Sequence, residues 1–136
     1  TWEYDATSKR VYYKYDQSPD KKPGDDWMIS PRIALKAGVT YRYSMFARVY
    51  SAKYPEKFKV LLGTDANPAA MTTELLKQED YKNATGEKLQ QTFQPMAITT
   101  WASMLIAILT CIVSTSTMWL STFSTTMLLR QFPALR

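Results

Sequence analysis

The clearest regularity along the chain is strict alternation. In residues 40–48, Tyr41, Tyr43, Met45 and Ala47 share one face, while Arg42, Ser44 and Arg48 lie on the other with Phe46 among them. A period of two is the signature of a strand with one covered face. Residues 57–62 alternate charge with bulk before Gly63 ends the run. Residues 11–15 are dense in β-formers and lead into 16–24, which holds most of the turn chemistry. Trp27, Met28, Ile29 and Ser30 form another extended run. Pro31 confines it to an edge or a bulge, because proline has no N–H to give to a ladder. Residues 88–93 make a further strand, and 36–39 and 65–68 carry turn signals. The stretch 67–76 could open a short helix, but it reads better as a loop running into an edge strand. Short strands and turns at this spacing predict an all-β, antiparallel sandwich.

Composition divides the chain near residue 89. All 12 acids lie in residues 1–88, as do all but two of the 17 bases, Arg130 and Arg136. The small basic surplus is spread out (Lys9, Arg10, Lys21, Lys22, Lys57, Lys59), which reads as solvated surface and not as a nucleic-acid patch. Residues 89–129 carry no charge and mix Ser and Thr with Leu, Ile, Met and Trp. A length of 136 residues suits one domain with little left over. The absence of histidine excludes a Ser-His-Asp or Cys-His nucleophile and a His-ligated zinc. A lone cysteine, Cys111, excludes an internal disulfide and any CxxC motif. All four glycines fall before residue 87, and no phosphate-binding glycine motif occurs. Residues 1–5 have no initiator Met and no secretory signal, as in a chain entered mid-protein.

The motif Asp25, Asp26, Trp27, Met28, Ile29, Ser30, Pro31, followed by Arg32, Ile33, Ala34 and Leu35 and then by Ala37, Gly38, Val39, Thr40 and Tyr41, resembles a known family. It is similar to the cleaved-adhesin and choice-of-anchor J domains, jelly-roll β-sandwiches of bacterial secreted and surface proteins, including gingipain adhesin regions. Residues 54–64 resemble the family's next core strand, and Met71, Thr72 and Thr73 also have its look. The match covers residues 2–93. Asp25, Asp26, Trp27, Ile29, Ser30 and Pro31 make the signature and read as mainly structural. Trp27 and Ile29 are expected to point into the sandwich as core anchors.

The resemblance stops at residue 94. The family continues with two closing strands, whereas this chain has the apolar, Ser/Thr-rich tail 94–136. The expectation is therefore a domain at 1–93 lacking its closing strands, with a tail that is helical or disordered. The genetic code offers one account of the tail. Reading the unknown codons one base earlier turns every Thr codon into one for Asp, Asn, His or Tyr. It also forces glycine at positions 97 and 102 and valine at position 119. Residues 97–122 can then be read as a Gly-aromatic strand and a Leu-Tyr-Val-Asp-Asp-Val-like strand, as a frameshift near 93–96 would produce. The alternative is a transmembrane helix at 101–120 with Trp101 and Trp119 at the interfaces and the β domain outside. A sandwich without closing strands is expected to aggregate and to be non-functional as written.

The resemblance implies a non-catalytic adhesion or carbohydrate-binding module of a larger extracellular or cell-surface protein, with a glycan or an extracellular protein as partner. With its bases spread out, the chain is expected to have no nucleic-acid partner, and a membrane only if the tail is genuine. Tyr50 and Tyr54, in the loop 49–56, are the candidate ligand platform, because aromatic faces stack on sugar rings. Trp2 and Tyr4 also look exposed. Some relatives hold structural calcium; here Asp16, Asp20, Asp25 and Asp26 are oxygen donors near in sequence, without a DxDxDG loop. A glycosidase or protease is the lesser alternative. Its carboxylate pairs (Glu3 and Asp5, Asp25 and Asp26, Glu79 and Asp80) are of a kind any domain contains.

Overall fold

The computed structural model describes residues 2–14, 26–95, 102–111 and 118–121. Ten strands follow one another: β1 (Trp2–Asp5), β2 (Arg10–Tyr13), β3 (Asp26–Ile29), β4 (Ile33–Leu35), β5 (Tyr41–Val49), β6 (Glu56–Gly63), β7 (Thr73–Tyr81), β8 (Glu87–Phe93), β9 (Ala102–Cys111) and β10 (Met118–Ser121). One 3-10 turn, Pro68–Ala70, precedes β7. All pairings are antiparallel. The first sheet has the order β1-β2-β10-β5-β8. The second runs β3-β9-β6-β7, with β4 also paired to β9.

Alternation fixes which side chains meet between the sheets. Tyr13, Tyr43, Met45, Ala47 and Val49 from the first sheet pack with Leu35, Phe58, Val60, Leu62, Leu75 and Tyr81 from the second. Each large apolar side chain fully buried there contributes about 1.5–3 kcal/mol. Phe58 and Tyr81 meet edge to face at 5.4 Å, and Trp2 and Tyr13 do the same at 5.5 Å. The Tyr81 hydroxyl donates to the Ala47 carbonyl at 2.7 Å and so ties one sheet to the other. That bond also lets a buried phenol satisfy its polar end. Glu56, at the start of β6, is fully buried, which the sequence pattern did not reveal.

The expectation for Trp27 and Ile29 is corrected. Met28 packs against the main core, and Trp27 and Ile29 lie on the opposite face of the second sheet in a smaller cluster with Leu61 and Met71. The cause is register: through β9, Met28 lines up with Val60, whereas Ile29 lines up with Leu61. The segment after β6 folds back over that outer face and delivers Met71, only 5% exposed, onto the cluster. Asn67 caps the 3-10 turn, its Oδ1 accepting from the Ala70 N–H at 3.0 Å. Arg32 pins the loop from the other side, donating to the Thr64 carbonyl at 3.0 Å and to Asp65 Oδ1 at 3.1 Å. The stretch 67–76 is thus one turn and then a strand, and β7 is an edge of its sheet.

The tail departs from the expectation as well. The all-β sandwich stands, but it does not lack closing strands, and the tail's described parts are neither helical nor disordered. The backbone runs extended at 102–111 and 118–121, in inner positions of both sheets. β9 pairs with β3, β4 and β6, and β10 joins β2 to β5. Strands on either side of those positions present N–H and C=O groups that need partners, and an uncharged segment rich in β-branched residues can supply them. Among the described residues, no helix is long and apolar enough to cross a membrane.

Candidate functional site

Two surfaces carry side chains suited to recognition. The first is the end of the sandwich where β5 turns into β6. The Val49 N–H donates to the Asn83 carbonyl at 2.9 Å, which sets the 82–86 loop beside the 50–55 loop. Each loop is braced internally. Tyr54 N–H donates to the Ser51 carbonyl at 3.1 Å and Lys53 N–H to Ser51 Oγ at 3.3 Å. Asn83 Oδ1 accepts from Thr85 N–H at 3.1 Å, Thr85 Oγ1 at 2.8 Å and Gly86 N–H at 2.8 Å. From this rim Tyr50 projects with 72% of its surface exposed and Tyr54 with 42%. These are large apolar faces in water on a short, braced loop, in contrast to the buried tyrosines at 13, 43 and 81. Tyr4 on β1 is exposed too, whereas Trp2 packs on Tyr13 and donates from Nε1 to the Asp26 carbonyl at 3.4 Å.

The second surface is the outer face of the first sheet. Because Tyr43, Met45, Ala47 and Val49 point inward, Arg42, Ser44, Phe46 and Arg48 form the outward row of β5 and are half-buried. In register across β8 stand Thr92 opposite Arg42, Gln90 opposite Ser44 and Lys88 opposite Phe46. Gly86, at φ +93°, sits against the Phe46 ring so closely that a Cβ there would lie 2.5 Å from ring atoms. The sequence pattern already set Phe46 on the polar face; what it could not show was the bare backbone beneath the ring.

The remaining candidates are distributed differently. Asp26 opens β3, where partial burial pushes its carboxyl up while hydrogen bonds, one from Tyr13, outweigh that and hold it below the ordinary value. Ser30 Oγ donates to the Pro31 carbonyl at 2.9 Å, and Pro31 is exposed just past the end of β3. Asp16, Asp20 and Asp25 lie outside the described residues. Among the described residues, no group of three or more Cys, Asp or Glu is placed to hold a metal ion. The carboxylates of the hydrolase alternative are engaged along the strands. Glu3 meets the Tyr12 hydroxyl and Lys14, which together hold it below the usual carboxylate range. Asp5 accepts from Ser8 and Thr7, Glu79 meets Lys77 and Lys57, and Asp80 meets Lys82 at 2.6 Å.

No family model matches the chain, and no curated protein matches it. Solved structures do. The K1 cleaved adhesin domain of Lys-gingipain from Porphyromonas gingivalis superposes with a TM-score of 0.59 at 14% identity, covering 82% of this chain and 69% of that one. The K3 cleaved adhesin domain of the same protein gives 0.56 at 16%, covering 82% and 70%. A carbohydrate-binding module of family 4 gives 0.55 at 14%, covering 88% and 81%. At such identities the likeness is one of fold, and the fold is the jelly-roll β-sandwich of adhesin and carbohydrate-binding domains.

Proposed function

We propose that this chain is a non-catalytic binding module that recognises a glycan or an extracellular protein, as part of a surface or secreted protein. The observation that carries the reading is the pair Tyr50 and Tyr54, exposed on a braced loop at one end of a sandwich whose other described aromatic side chains, Tyr4 apart, are at least partly buried. Aromatic faces fixed in this way stack on the apolar side of a sugar ring at little entropic cost, and neighbouring polar groups take the hydroxyls. The folds it shares, those of adhesin domains and carbohydrate-binding modules, support the same reading. The test is a glycan array with the full chain, followed by Tyr50→Ala/Tyr54→Ala. Loss of binding by about tenfold or more, with an unchanged melting temperature, is the expected result for two stacking contacts worth about 0.5–1.5 kcal/mol each. Binding that ignores both substitutions would remove the loop as the site.

We also propose that residues 97–122 are the shifted reading of the two closing strands. What supports this is that the forced glycines and valine fall where the family places them. Sequencing the coding DNA between codons 88 and 125 decides it: stops or unrelated residues in the frame one base upstream would end the proposal.

A further inference from the structure

Among the described residues, the two sheets end in strands of unequal character. β1 has four residues and carries Glu3 and Asp5. β3 and β4 are four and three residues long and flank Pro31. β7 is nine residues long, but it carries Glu74, Lys77, Glu79 and Asp80, and its register with β6 shifts twice. Short length, proline, charge and bulges are the devices that keep an edge from pairing with another chain. β8 runs seven residues in unbroken register with β5, and from Leu89 to Phe93 it has neither charge nor proline. Among the described residues, no strand pairs with its other edge. Alternation against β5 sets Glu87, Leu89, Gln91 and Phe93 on the inward face. Opposite them Tyr43, Met45 and Ala47 are buried, yet Glu87 and Gln91 are exposed and Leu89 and Phe93 are half-buried. β8 thus overhangs the core and leaves part of two apolar side chains in water.

We propose that this edge pairs with the same edge of a second copy of the chain, β8 against β8 about a two-fold axis, joining the two first sheets into one. The strand is self-complementary in the antiparallel register centred on Gln90, which uses all seven residues. Gln90 then faces Gln90 of the second copy, Leu89 faces Gln91, Lys88 faces Thr92 and Glu87 faces Phe93, so no like charges meet. On the inward side, Leu89 of each copy lies diagonal to Leu89 and Phe93 of the other, a spacing that long and aromatic side chains still bridge. A slip of one residue would turn the second copy's core to the wrong face. Each copy has one such edge, so the assembly closes at two. The 82–86 loop, set beside the tyrosine rim, leads directly into β8. In an antiparallel pair the two rims therefore lie at opposite ends, an arrangement that bridges two ligands and does not grip one twice.

The experiment is sedimentation equilibrium of the full chain over a concentration series at low salt, with hydrogen exchange of the β8 amides measured alongside. The expected result is a reversible monomer–dimer equilibrium. The β8 amides that point away from β5 should gain protection as concentration rises. Gln90→Lys sets two ammonium groups against each other on the axis and should weaken the dimer about tenfold or more, less so at high salt. Gln90→Glu should act in the same way. An equimolar mixture of the two variants should restore the dimer, because residue 90 faces its own copy; loss of structure would give no such rescue. Ala6→Lys adds the same charge at an exposed turn and should change nothing. A chain that stays monomeric throughout, a dimer indifferent to both Gln90 variants, a mixture no tighter than either variant, or growth past two copies would overturn the proposal. A monomer whose melting temperature falls with Gln90→Lys would set another segment of the same chain on the edge, and would overturn it too.

Discussion

Gly63 offers the sharpest check on the packing. It ends β6 directly beneath the fold-back segment, where a Cβ would lie 2.5 Å from the Ala70 carbonyl oxygen, 2.6 Å from Met71 Sδ and 2.9 Å from Met71 Cα. Two of those three atoms are backbone, so no rotamer change can relieve Gly63→Ala. Either the turn moves by a few tenths of an ångström or more, or Met71 lifts off the cluster with Trp27, Ile29 and Leu61. Overpacking of this kind costs about 1–3 kcal/mol, and uncovering the cluster costs a similar amount. Against that, alanine narrows the unfolded ensemble and returns about 0.4–1 kcal/mol. The net expectation is a loss of about 1.5 kcal/mol, seen as a fall of roughly 4–8 °C in melting temperature for a domain of this size. Gly38→Asn is the control: nothing lies within 4 Å of a Cβ there and asparagine tolerates φ +73°, so its cost should stay below about 1 kcal/mol. In the double variant with Met71→Ala, part of the Gly63→Ala loss should be recovered, because the Sδ contact is gone while the Ala70 contact remains. A Gly63→Ala protein that melts at or above the parent temperature would refute the packing argument.

Three further outcomes follow from the same structure. Tyr81→Phe removes the bond to the Ala47 carbonyl and should cost about 1 kcal/mol by urea denaturation; a neutral result would mean that the sheets are not tied there. Burial pushes the Tyr43 and Tyr81 phenols well above their ordinary value, with Glu87 adding to the effect at Tyr81. The unfolded chain therefore loses those protons first. Stability should fall as pH rises past about 10, with part of the tyrosinate absorbance appearing only as the protein unfolds. Asp26 is held below its ordinary value, so its contribution is present at neutral pH and is lost as pH falls through the folded value, which an NMR titration would place under 3.8. Asp26→Asn should flatten the acid limb of the stability curve.

Much of the sandwich could be read from alternation because each strand has one covered face. Residues 41–48 show this best, with the register against β8 following the alternation. The exception is instructive. Trp27 and Ile29 sit on a strand whose two faces are both covered, one by the core and one by Met71 returning from a distant loop. A local pattern of bulky residues cannot tell which of two covered faces is the larger. The same limit applies to Glu56, which the sequence sets beside Lys57 like any surface acid. Tyr50 and Tyr54 stood out as loop aromatics, and their exposure follows from a loop too short to fold them back. The seat of Phe46 was hidden because Gly86 lies on another strand connection, forty residues further along.

The late strands have a consequence for how such a chain is made. Among the described residues, the pairings that remain without β9 and β10 are β1 with β2, β5 with β8, and β6 with β7, while β3 and β4 have no neighbour in the ladder. A polypeptide in which residues 102–121 have not yet been made would therefore hold separate hairpins and ribbons instead of a sandwich, with apolar faces waiting for their lids. Such long-range closure is slow and leaves open edges to be guarded in the meantime. The order of the strands along the chain thus postpones closure of both sheets until β9 and β10 have emerged.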